Sequence, residues 1–450
     1  RTVRITEDQQ IAVDFFKMAD PFNPAAGDFD SNYPNYTVYV DVTEAMITDT
    51  TENPMVLHIG LPSPAAIEAG QIYFAQISAN GDTEILNIAE AGEADDNGTR
   101  VFGDLGGAGE LEAARALNRL IADGRLPRPE RTLRFVWPCE VECTIALLNA
   151  RPEFARRTLA TIHLDMIGGD TEITKSHLRV EGSPPSLPTF ADDVAFALAR
   201  WANARTLEVA DRGTSDWPLL DPEGSKNPLA AEIGGFSEGS DHTVWAEGSW
   251  RIPVVYVADW PDRYIHTQRD VPANLDSTKL KRAIFLAAAS GYALGAMDQA
   301  DVPAVQRELD AARLERAAAR LRQPPSEPAD AYFARADAGE VQSLERFGLR
   351  GAAPSASIVA ADGSPTYVRK PSPKGPMSGF GYSWLDDQLE RKGLGRPALL
   401  DRDAPSRNAS FAYEALNLVD GRRSVQSIRD DLAWLGLLPD EEHRQSDRFA

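Results

Sequence analysis

What most limits this chain is the order of its hydrophobic patterns. Over the first 300 residues, short apolar runs alternate with stretches of helical periodicity. The runs at Thr37–Val42, Met55–Gly60, Gln71–Ser78, Glu84–Ala89, Thr132–Trp137, Ala160–Ile167, His177–Glu181 and Pro253–Ala258 are rich in Val, Ile, Leu and aromatics. Many are bounded by Gly, Pro, Asn or Asp, the signature of strands. Between them, Glu110–Ala122 places Leu111, Ala114, Leu117, Leu120 and Ile121 on one helical face, and Phe190–Asn203 and Lys279–Met297 behave alike. Asp276 and Ser277 suit the cap of the last of these helices. Such alternation predicts an α/β sandwich, with helices covering a mostly parallel sheet. Ligands in such sheets bind beyond the carboxyl ends of the strands, which directs attention to the loops after Ala89, Trp137, Ile167 and Ala258.

The pattern changes beyond Met297. Asp301–Arg322 reads as a charged, Ala-rich helix, and Gln-Pro-Pro-Ser-Glu-Pro at 323–328 as a boundary. The expected organisation is a domain over 1–300, a helical linker over 301–328 and a C-terminal region over 329–450. Residues 329–410 carry few periodic signals, whereas Phe411–Leu438 reads as a helix, a turn at Asp420-Gly421 and a second helix from Ser424, a small winged-helix-like module. Its Arg422, Arg423 and Arg429 are offset by Asp430, Asp431, Asp440, Glu441 and Glu442, so it reads as a packing or oligomerisation element. The whole chain points the same way. Against 46 Lys and Arg stand 68 Asp and Glu, a net charge of −22, which argues against nucleic acid or an anionic membrane as partner. There is no apolar run of membrane-spanning length.

Six histidines are present, so the position of each is informative. His242 and His266 flank the run Pro253–Ala258, with His266 just past it. Acids follow other strands: Glu90 and Asp96 after Glu84–Ala89, Glu140 and Glu142 after Thr132–Trp137, and Asp165 at the end of Ala160–Ile167. Acids gathered on one rim of a sheet repel unless a cation sits among them, so a metal is the economical reading. The two cysteines, Cys139 and Cys143, flank Glu140 and Glu142; a local disulfide, two thiols and two metal ligands are all open to them. The Gly-rich Gly103–Gly109 segment lacks the Lys-Ser/Thr of a P-loop and reads as a flexible lead into the following helix.

Together, Asp95-Asp96-Asn97, Arg131–Glu140, Ile162–Gly168, Ser240-Asp241-His242 and Tyr264–Thr267 resemble, in order and approximate spacing, the landmarks of the M28 zinc aminopeptidases. The resemblance covers roughly residues 80–300. It is strongest to an aminopeptidase-like branch, some members of which carry a winged-helix tail. It implies a three-layer, zinc-exopeptidase-like sandwich with a small, mostly helical C-terminal region. It also implies removal of N-terminal residues from peptides at one or two Zn²⁺ ions. Asp96 would bridge the ions, Asp165 would bind one and His266 the other. Glu140 would be the general base, and Tyr264 would stabilise the oxyanion. Asp241 and His242 would lie near the substrate pocket, unless the turn simply braces its loop. The chain departs from the family at two positions. Glu90 stands where a zinc-binding His is expected, and Val141 follows Glu140, so that Glu142 is the next acid able to act as a ligand. A binding protein with a decayed site and a single-zinc glutaminyl-cyclase-type acyltransferase are the competing expectations.

Overall fold

A computed structural model describes the backbone of 10–15, 36–41, 57–60, 73–77 and 83–87. It also describes residues 108–136, 138, 140–267, 269–322, 327–352, 363–372, 374–375, 389–395 and 410–435, apart from the side chains of 108–112, 142, 319–320 and 327–331. The chain divides into two compact units, 1–111 with 145–152, and 112–144 with 153–450.

In the first unit, β1 (Gln10–Phe15) pairs antiparallel with β2 (Tyr36–Asp41). The strands β3 (Leu57–Gly60), β4 (Tyr73–Ile77) and β5 (Thr83–Asn87) form an antiparallel meander. All but β1 fall where the apolar runs predict them, within a residue or two. The expected parallel pairing does not extend to these strands. Helix α1 (Ala108–Ala122) begins slightly before its predicted start; from residue 112 it belongs to the second unit, where Ala113, Ala114 and Leu117 are buried.

The second unit contains a mixed four-stranded sheet in the order β6-β9-β7-β8. In chain order, after α2 (Glu142–Ala150), whose residues from 145 belong to the first unit, and α3 (Pro152–Arg157) come β6 (Thr161–Asp165), the short α4 (Thr171–Thr174), β7 (His177–Glu181) and α5 (Phe190–Arg212). There follow β8 (Glu232–Ile233), α6 (His242–Ala246), β9 (Val254–Trp260) and α7 (Ser277–Ala296). β6 runs parallel to β9 and β7 parallel to β8, whereas β7 and β9 are antiparallel. Asp276 caps α7 by accepting from Thr278 N–H, as its sequence predicts.

The run Thr132–Trp137 was expected to be a strand. Residues 132–136 instead form no ladder. Arg131 fixes the segment: its N–H donates to Gly295 O at 3.0 Å and its guanidinium to Met297 O and Phe347 O at 2.7 and 2.6 Å.

Side-chain alternation divides the sheet into two unlike faces. Leu178, Val180, Val255 and Val257, with Ile162 and Leu164, meet Ala195, Ala199 and Ala202 of α5 and Ala283 and Leu286 of α7. The small alanines let these helices lie close to the sheet. A second cluster joins Phe190 and Leu294 to Val302, Val305 and Leu309 of α8 (Val302–Leu321) and Val341, Leu344 and Phe347, the first two of them from α9 (Glu327–Arg346). The segment expected to be a linker helix therefore shares a core with the sheet's own helices.

The C-terminal segments complete this unit. β10 (Thr366–Val368) pairs antiparallel with β11 (Asp420–Ser424), which lies between α10 (Ser410–Asn417) and α11 (Val425–Trp434). The expected helix–turn–helix is present, but the turn opens into a strand, with Gly421 at φ +78°.

Candidate functional site

The second face of the sheet is polar. In β6, His163 and Asp165 share it because they are two residues apart, and register places Tyr256 of β9 beside His163 and Glu181 of β7 beside Tyr256. The Tyr256 hydroxyl donates to Asp165 Oδ2 at 3.2 Å. Burial, then the negative charge of Asp165, push the phenol far above its ordinary pKa, so it remains a donor. Its ring lies 3.9 Å from the His242 ring at 12° and 5.2 Å from that of His163 at 26°. The two imidazoles also lie 5.8 Å from each other, so Tyr256, His242 and His163 form one three-ring cluster.

Both imidazoles are neutral. Burial lowers His163 to about 4 and His242 to about 3. His242 Nε2 lies 2.6 Å from Ser237 O, a carbonyl that can only accept, so the proton is on Nε2. Its Nδ1 has no hydrogen-bond partner among the described residues. His163 Nε2 lies 3.1 Å from Ser240 Oγ. Glu181 accepts from both the N–H and the hydroxyl of Ser237, at 2.8 and 2.7 Å. The Gly-rich loop leading to α6 is thus tied down on the polar face.

Asp241 stands at the N-cap of α6 but makes no capping bond. Its Oδ1 instead accepts from Val141 N–H at 2.7 Å, and Val141 holds φ +56°. That conformation is rare for a β-branched residue and is kept only where surroundings impose it. Here it sets the turn that carries Glu140, whose side chain is exposed. Burial raises Asp241 to about 7; the bond from Val141 opposes the rise, and the charges of Glu140 and Asp165 add to it. Glu140, Asp165 and Asp241 thus share one electrostatic neighbourhood.

The loop after Asp165 is fixed from below. Met166 and Gly168 hold φ +51° and +89°, and a Cβ on Gly168 would lie 2.8 Å from Leu280 Cβ. Lys279 of α7 lies 2.6 Å from Asp259 Oδ1 and donates to Gly169 O at 2.8 Å, while Gly169 N–H donates to Asp259 Oδ2 at 2.8 Å. This buried pair locks together the ends of β6 and β9 and the start of α7.

The structure brings together Glu140, Asp165, Asp241 and His242. His242, expected near the substrate pocket or as a brace of its loop, has a fully buried side chain stacked on Tyr256. Asp241 is buried as well. His266 is exposed, at φ +58°, in the turn after β9. Tyr264 lies in the same turn, its hydroxyl against the Arg263 guanidinium. Cys143 is disulfide-bonded, which removes it as a thiolate ligand. Glu90, Asp96 and Cys139 lie outside the described residues, as does the Glu142 side chain. Among the described residues no three His, Cys, Asp or Glu side chains are grouped as a metal shell. His163 and Tyr256 escape the sequence reading. The signal for them is the two-residue spacing of His163 and Asp165 on one strand.

No family model, curated protein or solved structure matches this chain.

Proposed function

We propose that the chain is a metal-dependent aminopeptidase of the M28 type, built as a three-layer zinc-exopeptidase-like sandwich. One observation carries the reading. Asp165 ends β6 at the carboxyl edge where an α/β sheet presents its ligand site, and Asp241, in the loop beside it, accepts from Val141 N–H in the turn that carries Glu140. Acids drawn from several loops to such an edge would suit a divalent cation. Asp165 would hold the ion, together with Asp96, His266 and the substitute ligand Glu90, with Glu142 as a further candidate donor. Glu90 in place of a histidine favours one firmly held ion over two, because zinc prefers nitrogen and sulfur donors.

A bound zinc ion supplies a nucleophilic water at neutral pH and polarises the scissile carbonyl. Everything else falls to the chain's own side chains. The Glu140 carboxylate takes a proton from the attacking water and delivers it to the leaving amine. Its exposure gives substrate access, while the bond from Val141 N–H to Asp241 fixes the turn beneath it. The substrate would be a peptide with a free N-terminus. The acidity of the chain suits neither nucleic acid nor an anionic membrane.

Zinc content and hydrolysis of aminoacyl chromogenic substrates, with and without chelator, test the proposal. Glu140→Gln should lower kcat about 10²–10⁴-fold, the usual worth of a general base, and retain zinc. Protein purified in zinc that holds none and turns over nothing sinks the reading. Product mass separates peptidase from cyclase chemistry, since cyclisation releases ammonia and shortens no peptide.

A further inference from the structure

We infer that Tyr256 is a positioning residue for Asp165, held by the paired imidazoles of His163 and His242. The inference rests on the reading above that Asp165 holds the metal. A carboxylate ligand needs one oxygen directed at the ion and the other restrained. The Tyr256 hydroxyl supplies the restraint by donating to Asp165 Oδ2 at 3.2 Å. The position of that hydroxyl is itself fixed. β9 sets the Cα of Tyr256 opposite His163 in the parallel ladder, and the ring stacks on His242 and packs against His163, the two imidazoles themselves lying 5.8 Å apart. His242 cannot rotate freely, because its Nε2–H is committed to Ser237 O and its ring is fully buried. His163 is tied through Nε2 to Ser240. The stack therefore couples the turn Ser240-Asp241-His242 to the end of β6. One rigid body positions both Asp165 and, through Asp241 and Val141, the turn bearing Glu140. Outer residues that orient a metal-binding carboxylate act through that ligand and do not touch substrate.

Tyr256→Phe keeps the stacked ring and removes only the hydroxyl. Zinc affinity, measured by competition with a chromophoric chelator, should fall about ten- to hundredfold, as for other outer-shell partners. On an aminoacyl chromogenic substrate kcat should fall and KM stay put. Unchanged zinc affinity in Tyr256→Phe overturns the positioning role and leaves the peptidase reading standing. A metal-free measurement separates the two ideas. In chelated protein, Tyr256→Phe should lower the thermal midpoint in the parent and leave it unmoved in an Asp165→Ala background. Equal shifts in both backgrounds overturn the inference whatever the zinc result. If the parent neither binds zinc nor turns over, the peptidase reading fails and the positioning of a metal ligand by Tyr256 fails with it, even where the Tyr256–Asp165 coupling is present.

Discussion

Single residues in this chain are pushed from their ordinary chemistry mainly by burial. Glu414 of α10 is one clear case. Its Oε2 accepts from Ser186 N–H at 3.1 Å, while Oε1 has no hydrogen-bond partner among the described residues. Burial raises it to about 7, with the Ser186 bonds opposing and the charge of Glu238 adding; Arg251 offsets part of the rise. The folded carboxyl is thus the weaker acid. Below the unfolded value near 4.5 both states hold the proton. As pH rises toward 7 the unfolded chain releases it first, so the group's favourable contribution is lost between those values. Glu414→Gln should therefore leave stability nearly unchanged at about pH 4.5 and raise it by about 1–3 kcal/mol at about pH 8, since each tenfold difference in acidity between the two states is worth ~1.4 kcal/mol. Urea denaturation at the two pH values reads this directly. An equal effect at both would show that Glu414 ionises as freely in the folded state as in the unfolded.

Elements are held together at this site by one buried ion pair. Lys279 belongs to α7 and Asp259 to β9, and both touch Gly169 in the loop after β6. Lys279→Met alone should cost about 3–5 kcal/mol, because it strands a buried carboxylate. Adding Asp259→Asn should recover a large part of that loss, since an amide still accepts from Gly169 N–H and carries no charge. Denaturant unfolding of the two single variants and the double variant closes the cycle; losses that simply add would refute the coupling. The elements themselves are largely legible in the sequence. Thr161–Asp165, His177–Glu181 and Val254–Trp260 fall in predicted apolar runs, and Ser277–Ala296 starts where Asp276 caps it. The run at 132–136 misleads because strand propensity describes fit to a partnered, half-buried surface and not a preference of the backbone alone. With Arg131 anchored on α7 carbonyls and on Phe347 O, that segment has no partner strand among the described residues.

At the scale of the whole molecule, the site depends on chain far from it in sequence. Acid–strand order points to Asp165 at the end of β6, whereas Glu140 was expected after a strand that 132–136 do not form; nothing local reveals that Tyr256 meets His163, which follows from the register of β6 on β9, or that His242 of α6 stacks on Tyr256. Nor does local pattern show what lies behind the α6 loop. Tyr413 donates to Thr243 O at 2.8 Å and stacks on Phe236 at 5.5 Å. Asn417 accepts from Gly248 N–H at 2.8 Å, and Arg251 donates to Asn417 O and Ser186 O at 3.3 and 3.0 Å. The C-terminal region is accordingly part of the wall behind Asp241 and His242. Ending the chain at 409 would expose Phe236 and leave Gly248 N–H and Thr243 O without these partners. Each buried group left unpaired costs about 1–3 kcal/mol. The shortened chain should therefore melt at a lower temperature, be cut first by protease within 234–248, and lose the proposed hydrolysis. Tyr413→Phe in the full chain is the milder version. It should cost about 1 kcal/mol, a single hydrogen bond, and leave turnover of an aminoacyl substrate measurable. Thermal unfolding with mapped proteolysis decides the matter: a shortened chain as stable and as protected over 234–248 as the full one would show that the C-terminal region is not what holds the site loop.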